Sequence, residues 1–186
     1  PVGVGAMAAL LGLDFETATD VALAASQGEI CQAANDNDPG QVVVSGHKGA
    51  VERAVELAKE KGAKRAVMLP VSAPFHCALM QPAAEAMAEA LSHVDINRPA
   101  VPLIANVLAE PVSDPATIRS LLVDQVTGSV RWRESVLTLS QNGVTEIYEI
   151  GAGKALSGMV RRIDRSIACT AVGTPEDVAA AVAKLS

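Results

Sequence analysis

The sequence has 186 residues, 49% of them hydrophobic, which is enough for a folded core and excludes a disordered chain. Its net charge of -6 argues against a general nucleic-acid binder, because such proteins need a basic face to displace counterions from phosphates. No apolar run reaches the roughly 20 residues that span a bilayer, and the opening residues lack the basic start of a signal peptide. We therefore expect a cytoplasmic protein with neither a membrane nor a nucleic-acid partner.

The cysteine pattern and the first residue add two expectations. The three cysteines are too widely spaced to form a Cys-x-x-Cys metal or redox pair, so we expect reduced thiols and no metal site. The chain begins at Pro1 rather than at a methionine, which leads us to expect a piece of a longer protein.

Residues 1–71 alternate between helix-like and strand-like hydrophobic patterns. Helices are predicted at 15–26, after a capping Asp14, and at 49–61, where apolar residues recur at every third or fourth position. Strands are predicted in the apolar run that begins at residue 5 and at 30–34, 41–45 and 65–71. Turn-forming residues fill 35–40. The order β-α-β-β-α-β predicts a ferredoxin-like subdomain, in which two helices cover one face of an antiparallel sheet.

Residues 72–186 have a different pattern, in which longer helices separate short strands. Helices are predicted at 80–91, 130–141, 154–163 and 175–184. A further helix is predicted directly after Asp114, which would cap it. Strands are predicted at 101–107, 146–150 and 167–172. This alternation favours a parallel sheet covered on both faces, and three strands are too few to complete one. The sequence therefore predicts an α/β protein in which 1–71 is a small subdomain and 72–186 is part of a larger α/β domain.

Among the histidines, His76 has the setting best suited to chemistry. It follows the predicted strand that ends at Val71, in a loop constrained by Pro74 and directly before a helix. Open α/β sheets place their sites in loops at strand ends. Taken alone, this position fits either a catalytic base or a structural histidine, whereas His47 fits a solvated or capping residue and His93 a surface position.

Three further features leave alternatives open. Gln125 follows Ile118 by seven residues and so lies on the apolar face of its helix, where an unpaired amide costs about 1–3 kcal/mol. It either caps a neighbouring backbone or belongs to a polar site. Lys64 and Arg65 form a basic cluster that is either a solvated edge or a contact for a phosphate or an acidic partner. The glycine-rich segment 151–154 matches neither phosphate-loop pattern, so we interpret it as a strand-to-helix turn.

Eight stretches of the sequence together resemble one known family. They are 5–9, 37–43, 45–47, 62–65, 70–80, 106–107, 130–132 and 149–156. In combination they resemble the malonyl-CoA:acyl carrier protein transacylases of bacterial fatty-acid synthesis, over essentially the whole sequence. The resemblance implies a hydrolase-like α/β domain that carries the ferredoxin-like subdomain as an insert.

The resemblance also implies a reaction. Members of the family move malonyl from coenzyme A to the phosphopantetheine thiol of acyl carrier protein through a seryl ester. His76 matches the catalytic histidine, and Gln125 matches the position whose backbone carbonyl orients the imidazole. No cofactor is implied, because malonyl-CoA is itself a substrate, and a monomer is expected.

Other positions take binding roles by the same resemblance. Phe75 matches a residue of malonyl-selective relatives, where a bulky ring would crowd the α-methyl group of methylmalonyl. Asn37 and Asn106 match polar positions near the substrate cleft. Lys64 and Arg65 match basic positions that would meet coenzyme A phosphate or the acidic carrier protein.

The sequence also departs from the family pattern. The serine elbow, the arginine that pairs with the malonyl carboxylate and the Gly-Gln-Gly-Ser segment lie upstream in the family and are not among these 186 residues. We therefore expect this chain to be inactive alone. Two alternatives remain, a ferredoxin-like ligand-binding or regulatory module without catalysis, and a related acyltransferase that loads a different acyl group.

Overall fold

A computed structural model gives the structure of residues 3–71 and 73–186. The chain forms two compact units, residues 1–135 and 136–186, and the division falls within α5 (Trp132–Gln141). In the described residues, no helix has the length and apolar character needed to cross a bilayer. The predicted boundary at residue 71 between a subdomain and a larger domain stays a prediction.

The first part of the larger unit is a four-stranded antiparallel sheet with two helices. In chain order its elements are β1 (Gly5–Leu11), α1 (Phe15–Ser26), β2 (Cys31–Asp38), β3 (Gln41–His47), α2 (Lys48–Glu60) and β4 (Arg65–Met68). The strands lie in the order β2-β3-β1-β4. This topology confirms the predicted β-α-β-β-α-β arrangement.

The two faces of this sheet have different roles. Ala8 and Leu10 of β1 are fully buried in a core of small aliphatic side chains shared with α1 and α2. Because side chains alternate along a strand, Met7 points to the other face, where it packs with Val43 and Leu69. That second face carries no helix of this subdomain, and it borders the site described below.

Strand β2 is longer than its sequence predicts. Asn35 and Asp36 pair with β3, with register shifts typical of bulges, so the predicted turn over 35–40 shortens to Pro39 and Gly40. The turn was predicted too long because residues 35–38 have turn-forming side chains, although their backbone belongs to a strand that is paired on both sides. The Asp36 amide donates to the carbonyl of Val130 on its other edge.

The remainder of the larger unit is built from short elements. They are a 3-10 helix (Ala78–Met80), α3 (Gln81–Ser92), β5 (Leu103–Ala105), β6 (Glu110–Val112) and α4 (Pro115–Asp124). Asp114 caps α4 as predicted, since its carboxylate accepts from the Thr117 amide at 2.8 Å. The strand predicted at 101–107 is confirmed as the shorter β5, and β5 pairs with an antiparallel β6 that was not predicted. The sequence did not predict β6 because this strand contains Pro111, and a proline interrupts the usual strand pattern.

The smaller unit contains one parallel strand pair. Its elements after α5 are β7 (Glu146–Ile150), α6 (Ala155–Ile163), β8 (Ala168–Val172) and α7 (Pro175–Leu185). Strands β7 and β8 are parallel and joined through α6, so the parallel pairing predicted for these two strands is confirmed. Residues 151–154 form the predicted strand-to-helix turn.

Candidate active site

His76 lies at a sharp corner after β4, directly before the 3-10 helix. Its φ of 57° is left-handed, a conformation uncommon outside glycine and concentrated at functional sites. Two contacts hold the corner. The Cys77 thiol lies 3.2 Å from the carbonyl of Pro74, and the Ala78 amide donates to Oε1 of Gln32 on β2 at 2.8 Å. The neighbouring structure therefore fixes the backbone from which the imidazole projects.

Two backbone carbonyls face one nitrogen of the His76 ring. Nδ1 lies 2.9 Å from the carbonyl oxygen of Gln125 and 3.2 Å from that of Gly128. Because carbonyl oxygens only accept hydrogen bonds, we assign the proton of the neutral ring to Nδ1. Nε2 then carries the lone pair, and the half-buried imidazole can accept a proton there.

The end of α4 explains why these carbonyls are available. Gln125 is the C-cap of α4, and the last carbonyls of a helix have no partner within the helix. Gly128 follows three residues later, and its amide donates to the carbonyl of Asp124. A Cβ on Gly128 would lie 2.8 Å from Cγ1 of Val107, so this position needs a glycine. Gly128 was not predicted as a site residue, because the sequence shows only a glycine shortly after a predicted helix.

The segment that follows Gly128 is bound to the edge of β2. The Ser129 hydroxyl donates to the carbonyl of Ala33 at 2.5 Å. The amide of Val130 donates to the carbonyl of Ala34 and its carbonyl accepts from the Asp36 amide, both at 2.8 Å. Strand β2 therefore supports both the corner of His76 and the segment that carries its carbonyl partners.

An open cleft of about 370 Å³ lies beside His76, on the sheet face without subdomain helices. Three of the predicted site residues line it, namely His76, Phe75 and Asn37. Val43 and Leu69 contribute apolar walls. The structure thus brings a proton acceptor, an aromatic ring and an amide to one cavity.

Asn106 lies elsewhere. It lines a separate cavity of about 130 Å³ between β5 and α4, together with the side chain of Gln125. It is not among the residues that line the His76 cleft, and its predicted place near the substrate cleft stays a prediction. Gln125 therefore reaches His76 through its backbone while its half-buried side chain borders this second cavity.

Lys64 and Arg65 are exposed at the start of β4, at the opposite end of this strand from the His76 corner. Arg65 pairs with Leu11, and cross-strand partners share a face, so Arg65 lies on the same sheet face as the cleft. Neither residue lines the cleft itself.

The other histidines are not part of this site. His47, expected to be a solvated or capping residue, is the half-buried N-cap of α2, and its Nδ1 accepts from the Ile30 amide at 2.9 Å. His93 is on the surface as predicted, with Nε2 3.2 Å from the carboxylate of Glu89. Within residues 3–71 and 73–186, no three His, Cys, Asp or Glu side chains are grouped as metal ligands would be.

The fold and this site define an α/β protein with a proton acceptor in an open cleft. The family model of the acyl transferase domain matches residues 2–184, so the chain belongs to the acyl transferase domain family.

The names of individual relatives are more specific than the name of the family. Over 186 residues the chain is 46% identical to the malonyl CoA-acyl carrier protein transacylase of Bacillus subtilis (strain 168). It is similar to the crystal structure of an acyl-carrier-protein-S-malonyltransferase from Bartonella henselae, with 56% identity and a TM-score of 0.95. Both comparisons cover 100% of this chain and 59% of the relative.

A third similar structure contains a bound partner. It is a type II PKS acyl-carrier protein in complex with its malonyl-transacylase, PlMCAT:AntF, with 40% identity and a TM-score of 0.95. The match covers 99% of this chain and 60% of that one. The chain thus spans about three fifths of the relatives it matches.

Proposed function

We propose that this protein transfers a malonyl group from malonyl-CoA to the phosphopantetheine thiol of acyl carrier protein, with His76 as the general base. The observation that carries the proposal is the pair of carbonyl oxygens at Nδ1 of His76, because it leaves Nε2 as the proton acceptor. The names of the relatives support the choice of acyl group and carrier.

The proposed reaction has two balanced steps. A serine hydroxyl gives its proton to Nε2 of His76 as its oxygen attacks the thioester carbonyl of malonyl-CoA. The C–S bond then breaks, and the coenzyme A thiolate takes the proton from the imidazolium. In the second step the phosphopantetheine thiol gives its proton to Nε2 and attacks the seryl ester, and the serine oxygen leaves with that proton.

The nucleophile for this route is the serine that family members carry upstream of the matched region. The proposal therefore concerns the full-length protein that the gene encodes. Because the 186 residues contain no Gly-x-Ser-x-Gly elbow, we expect them not to complete a turnover by themselves.

The cleft beside His76 is the proposed malonyl site. Its lining by the Phe75 ring supports selection of malonyl over methylmalonyl, since a ring there restricts space for a branch. The amide of Asn37 is a proposed hydrogen-bond partner of the substrate. Asn106, in its own cavity, is proposed to act only through the position of Gln125.

Lys64 and Arg65 are proposed to meet the coenzyme A phosphates or the acidic carrier protein. Their exposure and their charge in an acidic chain support this role. We propose a monomer that needs no cofactor beyond its thioester substrate.

The test measures transfer of radiolabelled malonyl from malonyl-CoA to holo acyl carrier protein by the full-length protein. We expect His76→Ala to lower the rate by about 100-fold to 10,000-fold, the usual contribution of a general base. His93→Ala is the control, because His93 is exposed and pairs only with Glu89 among the contacts above. Undiminished transfer in His76→Ala would overturn the role of the base. Saturable binding of malonyl-CoA without any transfer would instead favour the alternative of a binding module.

A further inference from the structure

An ion pair with a buried carboxylate lies next to the segment that orients His76, and the proposed reaction does not use it. Asp36 on β2 is only 1% exposed. Its two carboxylate oxygens accept from Nε of Arg133 at 3.1 and 2.9 Å, and Nη2 of Arg133 lies 2.8 Å from one of them. This forked geometry is the strong form of a charge-assisted hydrogen bond, and the carboxylate raises the pKa of the Arg133 guanidinium above its usual range.

Arg133 is close in the chain to the carbonyl partners of the imidazole. Arg133 lies in the first turn of α5, three residues after Val130, which is hydrogen-bonded to β2 through both its amide and its carbonyl. The carbonyl oxygen of Gly128 is one of the two acceptors at Nδ1 of His76, and Gly128 precedes Val130 by two residues. Because only a few residues separate Arg133 from these carbonyls, the ion pair and the carbonyls can move little relative to each other.

The cost of separating the pair makes it a firm anchor. A buried carboxylate that loses its partner is left as an uncompensated charge, so the Asp36 side chain resists any shift of Arg133. The register of the whole segment on β2 is thereby fixed at its far end, beyond the backbone bonds of Val130.

We propose that Asp36 and Arg133 are positioning residues for the base His76. They hold the segment whose carbonyl oxygens keep the ring proton on Nδ1, so that Nε2 stays free to accept. This inference rests on the proposed function of His76 as a base.

The expected defect follows from the tautomer. If the segment moves away, the hydrogen bond at Nδ1 weakens and the ring populates the form with its proton on Nε2. That form cannot accept a proton there, so kcat falls while KM for malonyl-CoA changes little.

The experiment compares the full-length protein with Arg133→Gln, using ¹⁵N-labelled histidine and NMR shifts of the two His76 nitrogens. We expect the Nδ1–H form to dominate in the unaltered protein and a mixture of tautomers in Arg133→Gln, with kcat lowered about tenfold. Arg133→Lys keeps the charge without the forked geometry, and we expect an intermediate shift and rate. It also supplies the readout if Arg133→Gln does not fold.

Arg53→Gln is the matched control. The Arg53 side chain is 34% exposed, against 30% for Arg133, and it pairs with Glu29 at 2.7 Å while bonding two carbonyls at the end of α1. We expect it to lower stability without changing the His76 signals. Unchanged His76 signals in both Arg133 variants, or equal changes in Arg53→Gln, would overturn the proposal.

The tautomer measurement needs no turnover, which separates this inference from the proposed function. Loss of the Nδ1–H form in Arg133→Gln supports the positioning role whether or not malonyl is the substrate. A wild-type rate in His76→Ala would overturn the role of His76 as the base. The effect of Arg133→Gln on the tautomers of His76 would still stand.

Discussion

The backbone carbonyl oxygen of Gln125 lies 2.9 Å from Nδ1 of His76. In a Ser-His-Asp triad a carboxylate holds this position, where it also stabilises the positive imidazolium. A neutral carbonyl orients the ring without adding a charge beside it. The contact also depends on where α4 ends rather than on which side chain residue 125 carries.

We therefore predict that Gln125→Ala retains most of the activity of the full-length protein. The carbonyl survives the substitution, so kcat should fall less than about threefold, which corresponds to under about 0.7 kcal/mol in the barrier. Steady-state malonyl transfer measures this. A loss comparable to that of His76→Ala would mean that the side-chain amide, not the carbonyl, orients the base.

Gly128→Ala should be more harmful than Gln125→Ala. The added Cβ would lie 2.8 Å from Cγ1 of Val107 and 3.0 Å from the carbonyl oxygen of Asp124, so the backbone at 128 must shift. We expect a fall in kcat of about tenfold, because the second carbonyl at Nδ1 moves with it.

The double variant Val107→Ala/Gly128→Ala tests this steric cause. Removing Cγ1 of Val107 relieves the closer of the two clashes, so part of the lost rate should return. If the double variant is as slow as the single one, the clash with Val107 is not the reason for the defect.

Local patterns in the sequence were sufficient for much of the fold. Helix α1 and strand β7 lie at their predicted residues, because a periodic apolar face and a short stretch with isoleucine and tyrosine are properties of neighbouring residues. The failures at β2 and β6 have one cause. Both strands contain residues that favour turns, and backbone pairing with a neighbouring strand overrides that preference.

The residues of the candidate site likewise include some that the local sequence predicts and others that it does not. His76 was recognisable because a strand end, a proline and a helix start surround it in the chain. Its carbonyl partners lie 49 and 52 residues further on, and Arg133 lies 97 residues from Asp36. Contacts at such separations have no local pattern, so Gly128, Asp36 and Arg133 were not predicted.

Phe75→Ala should relax the choice of acyl group. Phe75 lines the cleft beside His76 and is partly exposed there, so its truncation opens space for an α-methyl branch. One methyl group is worth about 1–3 kcal/mol in a pocket, so the ratio of kcat/KM for methylmalonyl-CoA to that for malonyl-CoA should rise about tenfold or more. Competition between the two thioesters measures the ratio, and an unchanged value would remove Phe75 from specificity.

Lys64→Ala and Arg65→Ala should weaken substrate capture without slowing the chemical step. Both residues are exposed, so we expect kcat/KM to fall about threefold to tenfold at low salt while kcat is retained. The difference should disappear near 1 M salt, where the Debye length is about 3 Å. Lys59→Ala, an exposed lysine paired with Glu56 on α2, is the control. An equal effect of Lys59→Ala would indicate net charge alone.

Glu149→Gln should make the stability of the protein less sensitive to acid. The Ser157 hydroxyl, with the amides of Leu156 and Ser157, donates to the Glu149 carboxylate at the start of α6, and these bonds hold the pKa of Glu149 below its ordinary value of 4.5. A lowered pKa means that the folded state favours the carboxylate. Its contribution to stability is therefore complete above the ordinary pKa and is lost as the pH falls through the folded value.

Thermal unfolding between about pH 6 and pH 3 should show a steeper decline in Tm for the unaltered protein than for Glu149→Gln. The exposed Glu176 provides the control substitution Glu176→Gln, and equal slopes in Glu149→Gln and the unaltered protein would show that the carboxylate does not stabilise α6.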